Sequence, residues 1–130
     1  MAGSSSSLHE SEQVLPPELI DRHRAIVSIM EELEAIDWYD QRVAATNDPE
    51  LAAILAHNRD EEKEHAVMTL EWLRRHDPVL DHHLRTYLFT TTPVLEIEDS
   101  SGPGDAGQAA RGNSSLGIGD LGGGPQGGTR

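Results

Sequence analysis

The sequence predicts an all-α protein in which an antiparallel two-helix hairpin is followed by a short third helix. Two long segments carry apolar residues at spacings of three and four, the period of an α-helix. Asp48-Pro49 and Asp77-Pro78 end one segment and begin the next, since Asp suits the N-cap and Pro the first helical position. A connection this short makes the two long helices antiparallel neighbours.

These two Asp-Pro boundaries divide the chain into three predicted helices. The first helix runs from Glu18 to about Thr46, the second from Pro49 to about Arg75, and the third from Pro78 to about Leu88. The first helix is supported by a long run of apolar residues: Ile20, Ala25, Ile26, Ile29, Met30, Leu33, Ile36, Tyr39 and Val43. No segment shows convincing strand-like alternation.

Three regions differ in composition. Residues 1–17 contain a Ser run and end in two prolines, and we expect a disordered N-terminal tail; residues 18–95 form the helical domain. Residues 96–130 are expected to be a flexible tail, because 11 of the 12 glycines of the chain follow residue 100. Within that tail, residues 115–121 hold three aliphatic side chains between glycines.

Composition excludes several classes of function. The net charge of −13 argues against binding to nucleic acid or to anionic membrane surfaces. The chain has no cysteine, which excludes disulfides, thiolate metal sites and Fe–S clusters. No apolar run approaches the roughly 20 residues of a membrane span, and the N-terminus lacks a signal-peptide core. We therefore expect a soluble cytoplasmic protein.

Glu62 and His65 are the most informative pair in the chain. They are three residues apart on the second helix, so both side chains project from one face. Such a pair is typical of a di-iron carboxylate site, which takes two Glu-x-x-His pairs and two further Glu residues; one pair with one further Glu is half of that ligand set. Glu32 is the central acid of the stripe on the first helix. Doubled by a two-fold axis, the three residues give four carboxylates and two imidazoles, so a complete site needs two chains.

Heptad spacing places this pair on an inward seam. On the second helix the seam comprises Leu51, Leu55, Asn58, Glu62, His65, Thr69 and Trp72, and the facing stripe on the first comprises Ala25, Ile29, Glu32, Ile36, Tyr39 and Val43. Inward acids are costly unless they are paired or bound to metal. The alternative is a solvated acidic helix face; the inward phase and the facing Glu32 favour a metal site.

Other polar residues near this seam have two interpretations each. Glu31 and Glu34, with Trp38 one turn beyond Glu34, are either an outer carboxylate site that catches cations or an ordinary exposed acidic turn. Tyr39 either hydrogen-bonds a ligand carboxylate or is plain core. A possible outer cation site comprises His57, Glu61 and Glu64, although a solvated face is the favoured interpretation there.

At these residues the sequence closely resembles the encapsulated ferritins, the half-size ferritin-like cargo of encapsulin nanocompartments. The resemblance covers residues 18–95 and, separately, 115–121. Its motifs in the first region are Arg22-His23-Arg24-Ala25, Glu31-Glu32-Leu33-Glu34-Ala35, Asp37-Trp38-Tyr39-Asp40, the run from Ala56 to Arg75, and Leu84-Arg85-Thr86-Tyr87-Leu88-Phe89. The second region looks like the peptide by which such cargo docks inside the shell.

The resemblance implies a ferroxidase that oxidises Fe(II) to Fe(III) at a di-iron centre between two chains. Glu62 would bridge the irons, Glu32 and His65 would be terminal ligands, and Tyr39 would lie beside them. The residues implied on the side from which iron arrives are Glu31, Glu34 and Trp38. Two hairpins would pair into a ferritin-like four-helix bundle, and five dimers would form an annular decamer.

The resemblance also implies a place in the cell and a second partner. The protein would work inside an encapsulin nanocompartment in the cytoplasm, and the shell would store the mineral. The docking residues would be Leu116, Gly117, Ile118, Gly119 and Leu121. The rival interpretation is a non-catalytic cargo or dimerisation module whose acids only chelate metal or keep the protein in solution.

Overall fold

The computed structural model describes residues 7–105, and every element in that range is helical. The chain divides into two compact units between Thr90 and Thr91. The first unit holds a 3₁₀ turn and three helices, and the second holds one helix. Their bounds are Glu12–Val14 for the 3₁₀ turn, Pro17–Ala45 for α1, Pro49–Arg75 for α2, Pro78–Tyr87 for α3 and Val94–Asp105 for α4. The predicted all-α hairpin with a short third helix is confirmed.

The helix ends match the predicted caps. An Asp48 carboxylate oxygen accepts the backbone N–H groups of Glu50 at 2.9 Å and of Leu51 at 3.3 Å, and so begins α2. Asp77 does the same for α3 by accepting the N–H of Leu80 at 3.0 Å. Each cap satisfies donors that have no partner inside the helix. α3 ends one residue before the predicted Leu88, whose backbone is extended.

The hairpin is formed by α1 packed along α2, with α3 against the end of α2. Its buried residues in the first unit are Ala25, Ala66 and Leu73. The predicted stripe on α1 is correct, since each of its members from Ala25 to Val43 is buried or half-buried.

The predicted phase of α2 needs a correction. The most buried positions are Ala66 and Leu73, one residue beyond the seam members His65 and Trp72, which are exposed. One residue is a rotation of about 100° around the helix. The seam therefore lies along the edge of the hairpin and not at its centre, because two helices alone cover only the strip between them.

Ion pairs fix how the helices meet. Arg59 on α2 donates from a guanidinium nitrogen to Asp40 on α1 at 2.9 Å, and its side chain is only 22% exposed. Arg74 on α2 pairs with Asp81 on α3. Arg85 donates to the same Asp81 oxygen at 2.9 Å, one turn away along α3. These contacts hold α1 and α3 to defined positions along α2.

The structure differs from the expected tails. α4 occupies residues that composition assigned to the flexible region after residue 95. Its first turn forms because the Pro93 carbonyl accepts the N–H groups of Glu96 at 3.0 Å and Ile97 at 3.2 Å. The 3₁₀ turn within the expected N-terminal tail is capped by the Ser11 hydroxyl, which accepts the N–H of Gln13 at 3.3 Å. The predicted tails rested on their content of Gly, Ser and Pro, and composition of that kind does not reveal where a short helix begins.

No helix among the described residues combines the length and the hydropathy that a membrane crossing requires. The predicted docking segment, residues 115–121, lies outside the described residues.

Candidate metal centre

Three metal-ligating side chains converge where α1 crosses the middle of α2. Glu32 comes from α1, and Glu62 and His65 come from α2. One ligand atom from each lies within 4.8 Å of the other two. Within residues 7–105 this is the one group of three or more His, Asp or Glu side chains with such spacing. These are the three residues that the sequence predicted as ligands.

Helix geometry explains how the three donors meet. Glu62 and His65 are one turn apart on α2, and His65 Nδ1 lies 3.4 Å from a Glu62 carboxylate oxygen. Glu32 reaches them from the stripe of α1 that faces α2. The Glu62 side chain is 25% exposed and that of His65 is 52% exposed, so the group opens toward solvent at the edge of the hairpin.

The carboxylates of Glu32 and Glu62 meet across the helix interface, and each changes the pKa of the other. A hydrogen bond to Glu62, together with partial burial, raises the pKa of the Glu32 carboxyl. The same hydrogen bond, followed by that to His65, lowers the pKa of Glu62. Of the two carboxylates, Glu32 is therefore the first to take up a proton as the pH falls. A bound cation would favour the ionised form of both, since a nearby positive charge stabilises a carboxylate.

The donor set limits the metals that fit. Carboxylate oxygens with one imidazole nitrogen suit Fe, Mn and Zn better than soft ions such as Cu(I). Three protein donors leave coordination positions open for water, substrate or further ligands. A pair of metal ions sharing carboxylates needs about twice this set, and residues 7–105 of one chain offer no second set.

The neighbouring predicted residues are not brought into this group. The Tyr39 ring lies under the guanidinium of Arg42, with 5.5 Å from the guanidinium carbon to the ring centroid. Glu31 and Glu34 are exposed on α1, and Trp38 is 49% exposed. Their roles beside the metal therefore stay predictions.

The possible outer site is only partly assembled. His57 Nε2 lies 2.9 Å from a Glu61 carboxylate oxygen, one turn along α2, and both side chains are more than half exposed. Glu64 does not join them in a group of three ligands. The pair has the geometry of an ordinary exposed ion pair on a helix.

The sequence pattern did not indicate the Arg59–Asp40 contact. The two residues are 19 apart in the chain and lie on different helices, so no helical spacing relates them. Arg59 is one turn from Glu62, and its hydrogen bond to Asp40 ties that part of α2 to α1. The contact thereby helps to keep Glu62 opposite Glu32. An isolated Arg in an acidic helix was the only available signal.

Comparison with known proteins places the chain in a family. A family model described as EncFtn-like matches residues 7–91. The chain belongs to the EncFtn-like family. This confirms the predicted resemblance to encapsulated ferritins, and the matched range contains all three convergent donors.

Individual relatives agree with this assignment. The chain is 64% identical, over 94% of its length and 89% of the relative's, to the encapsulated ferritin-like protein of Rhodospirillum rubrum. It is 39% identical to the encapsulin nanocompartment cargo protein EncC of Myxococcus xanthus, over 45% of each chain. The crystal structure of protein ne0167 from Nitrosomonas europaea superposes with a TM-score of 0.66 at 60% identity, covering 68% of this chain and 97% of that one.

Proposed function

We propose that this protein is a ferroxidase that oxidises Fe(II) to Fe(III) at a di-iron site formed between two chains. The convergence of Glu32, Glu62 and His65 supports this proposal, because it supplies half the donors of a di-iron carboxylate site. Fe(II) is the substrate, and each ion gives up one electron. Two ions held side by side can together deliver two electrons to a dioxygen-derived oxidant.

The surroundings of His65 support completion of the site by a second chain. Four exposed apolar residues lie 14, 11, 3 and 7 positions from His65 and so share its face of α2: Leu51, Ile54, Met68 and Trp72. Their exposed fractions run from 37% to 63%. An apolar strip of this kind on a monomer marks an interaction surface. A second hairpin laid on this strip would cover it and bring its own three donors to the same place.

The roles of the side chains follow from their positions. Glu62 would share its carboxylate between the two metal ions, because it lies between Glu32 and His65 in the group. Glu32 and His65 would bind one ion each, and Tyr39 would orient a ligand carboxylate in the assembled dimer. Exposed Glu31 and Glu34 beside Trp38 would attract Fe(II) on its way in. Five such dimers in a ring would complete the assembly.

The proposal includes a shell partner. Relatives described as encapsulated ferritin-like protein and as encapsulin cargo support a place inside an encapsulin nanocompartment. Residues 115–121 would dock to the shell through Leu116, Ile118 and Leu121, while Gly117 and Gly119 would let the backbone lie close to it. Mineral would then be stored by the shell. Deleting residues 115–121 should abolish loading into co-expressed shells and spare Fe(II) oxidation; unchanged loading would remove this segment from the proposal.

The test of the enzyme proposal is aerobic Fe(II) oxidation followed by ferric absorbance. Wild-type protein is compared with Glu32→Ala, Glu62→Ala and His65→Ala, and with Glu64→Ala as a control for loss of an exposed acid on α2. We expect each ligand variant to be slower than wild type and the control to match it. Equal rates in wild type and in all three ligand variants would reject the proposal and leave a non-catalytic cargo module.

A second measurement tests whether the metal bridges chains. Native mass spectrometry of metal-free protein is repeated with Fe(II) or with Zn(II) as a redox-silent mimic. We expect the metal to shift the distribution toward larger species in wild type and not in Glu62→Ala. An unchanged distribution at all metal concentrations would argue against the two-chain site.

A further inference from the structure

We propose that a cleft beside the start of α1 binds a small molecule that joins an apolar body to a single carboxylate. We call it the Arg22 cleft; it lies between residues 7–15, the first half of α1 and the end of α2, and its volume is about 400 Å³. Clefts of this size hold small molecules in many proteins. The proposal does not depend on the proposed ferroxidase activity.

The N-terminal segment forms one wall of the Arg22 cleft. Leu8 and Leu15 are half-buried in this segment, whereas His9 and Gln13 between them are exposed. The 3₁₀ turn fixes the backbone between the two leucines, since the Val14 N–H donates to a backbone carbonyl three residues earlier at 3.1 Å. The segment that composition assigned to a tail therefore encloses a cleft against the hairpin.

The lining of the Arg22 cleft is mainly apolar. Five aliphatic side chains contribute to it: Leu8, Leu15, Leu19, Ile26 and Leu73. Leu73 is buried, whereas Leu19 is 40% exposed and Ile26 is 46% exposed. Aliphatic surface in a cleft is stabilised when an apolar molecule replaces water beside it. The ligand therefore needs an apolar body.

Arg22 supplies the polar centre of the cleft. It follows Leu19 by three residues and precedes Ile26 by four, so the three side chains share one face of α1. Its Nε atom is buried, and no acceptor among the described residues takes the N–H. A buried donor without an acceptor is costly, the more so in a charged group. Once the guanidinium turns toward the cleft, a ligand carboxylate would accept from two of its nitrogens together.

Arg22 differs from the other arginines of α1. Arg24 donates to Asp21 at 2.8 Å, and the guanidinium of Arg42 lies over a tyrosine ring. In the part of the chain that the structure describes, no carboxylate pairs with Arg22, although the sequence has 23 acidic residues. Its charge is therefore available to an anion from outside the chain.

Two acids in the lining limit the charge of that anion. One carboxylate oxygen of Asp77 accepts the N–H of Leu80 at 3.0 Å and begins α3, and Glu10 is exposed in the opposite wall. Both acids would repel a ligand with several negative charges, as would the net charge of −13. A monocarboxylate with an apolar body therefore fits the cleft better than a phosphate or a polycarboxylate.

The Arg22 cleft is well separated from the metal centre. Arg22 precedes Glu32 by ten residues, which is about 15 Å along α1, and Leu73 follows His65 by eight, about 12 Å along α2. A ligand in the cleft would tie the N-terminal segment to both helices without using any of the three metal-binding side chains. It would stabilise the folded chain by mass action.

The first experiment titrates octanoate into full-length protein in chelator-treated buffer by isothermal titration calorimetry. We expect saturable binding at one site per chain. 1-Octanol and octylammonium keep the apolar body and replace the carboxylate by a neutral and a cationic head. Both should bind at least about tenfold more weakly, because neither forms a charge-assisted bond with Arg22. Absent octanoate binding, or octanol or octylammonium that binds as tightly, would overturn the proposal.

A parallel titration with benzoate identifies the kind of acid that the cleft accepts. Tighter binding of octanoate would indicate a linear, lipid-derived acid, and tighter binding of benzoate would indicate a compact aromatic acid. Both results support the proposal as long as Arg22 is required for binding.

The second experiment tests Arg22 itself. Arg22→Met keeps a long side chain and removes the buried donor, so the Tm without ligand should be no lower than that of wild type. Octanoate affinity should fall about tenfold or more. Arg24→Met is the matched control: it removes the same charge from a side chain that is 69% exposed, and octanoate should bind it as it binds wild type. Ile26→Trp should block octanoate by filling the cleft.

The outcomes distinguish the ligand from other occupants and from the proposed function. Octanoate affinity that falls as protein concentration rises would show that a second copy covers the cleft, and would overturn the proposal. Arg22→Met protein that binds octanoate as wild type does would also overturn it. Fe(II) oxidation by Arg22→Met should match the wild-type rate, so a wild type that binds octanoate without oxidising Fe(II) would reject only the ferroxidase.

Discussion

Replacement of Glu62 by Gln should stabilise the metal-free protein and abolish its stabilisation by a divalent cation. The carboxylates of Glu32 and Glu62 lie within 4.8 Å of each other. Two unit charges at this distance repel by about 0.9 kcal/mol in water and by about 3.5 kcal/mol at an effective dielectric constant near 20. Because the group opens toward solvent at the edge of the hairpin, where the His65 side chain is 52% exposed, we adopt the lower end, about 1 kcal/mol.

Differential scanning fluorimetry in chelator-treated buffer at pH 7.5, at one protein concentration, measures this effect. About 1 kcal/mol corresponds to roughly 4–8 °C in Tm for a domain of this size. Excess Zn(II), at about 100 times its Kd, should add about 2.7 kcal/mol to wild type through mass action. Glu62→Gln should start from the higher Tm and gain little on metal addition.

Glu64→Gln is the matched control, since it removes the same charge from an exposed position on the same helix. It should leave the metal-free Tm near wild type and keep the metal response. Two results would refute the reasoning: a metal-free Glu62→Gln protein less stable than wild type, or one that is stabilised by Zn(II) as strongly as wild type. Either would mean that the carboxylates do not form an uncompensated cation site.

Three further predictions concern the scaffold. Asp48→Ala should cost about 1 kcal/mol in urea unfolding through loss of the α2 cap, and Asp48→Asn should restore most of it. Hydrogen bonds from Arg74 and Arg75 lower the pKa of Glu71 from 4.5 to about 2. This carboxylate therefore stabilises the fold above pH 4.5 and loses that effect as the pH falls toward 2. The Tm of wild type should drop more over this range than the Tm of Glu71→Gln. Arg59→Ala and Asp40→Asn should each lower the Tm and weaken the stabilisation by Zn(II). The loss of Tm in the double variant should be smaller than the sum of the two single losses. Additive losses would show that the two residues do not act as a pair.

Local chemistry made the helices predictable. Asp48 and Asp77, each followed by proline, begin α2 and α3 by accepting backbone N–H groups within three residues. Such contacts depend only on adjacent residues and can be inferred from a single sequence. The pairing of Glu62 with His65 was predictable for the same reason, because helix geometry fixes what lies one turn away.

Contacts between helices were harder to predict. The position of Glu32 opposite Glu62 could be inferred because it is the one acid in the middle of an otherwise apolar stripe. The predicted inward face of α2 was wrong by about one residue, because an apolar strip has the same sequence pattern whether it faces the other helix or a second chain. Arg59 and Asp40 depend on the register of the hairpin, which no periodicity encodes.

The isolated chain leaves two unfavourable features on the face where we propose a second chain. A hydrogen bond to Glu62 raises the pKa of Glu32 at the metal centre, and His65 stands in an exposed apolar strip. Neither feature improves the stability of a single hairpin whose buried residues are Ala25, Ala66 and Leu73. Both would become favourable if a second chain covered the strip and added its own ligands to a shared cation. The free energy that a larger core would have provided within one chain would then come from assembly, so stability should rise with protein concentration and, independently, with metal.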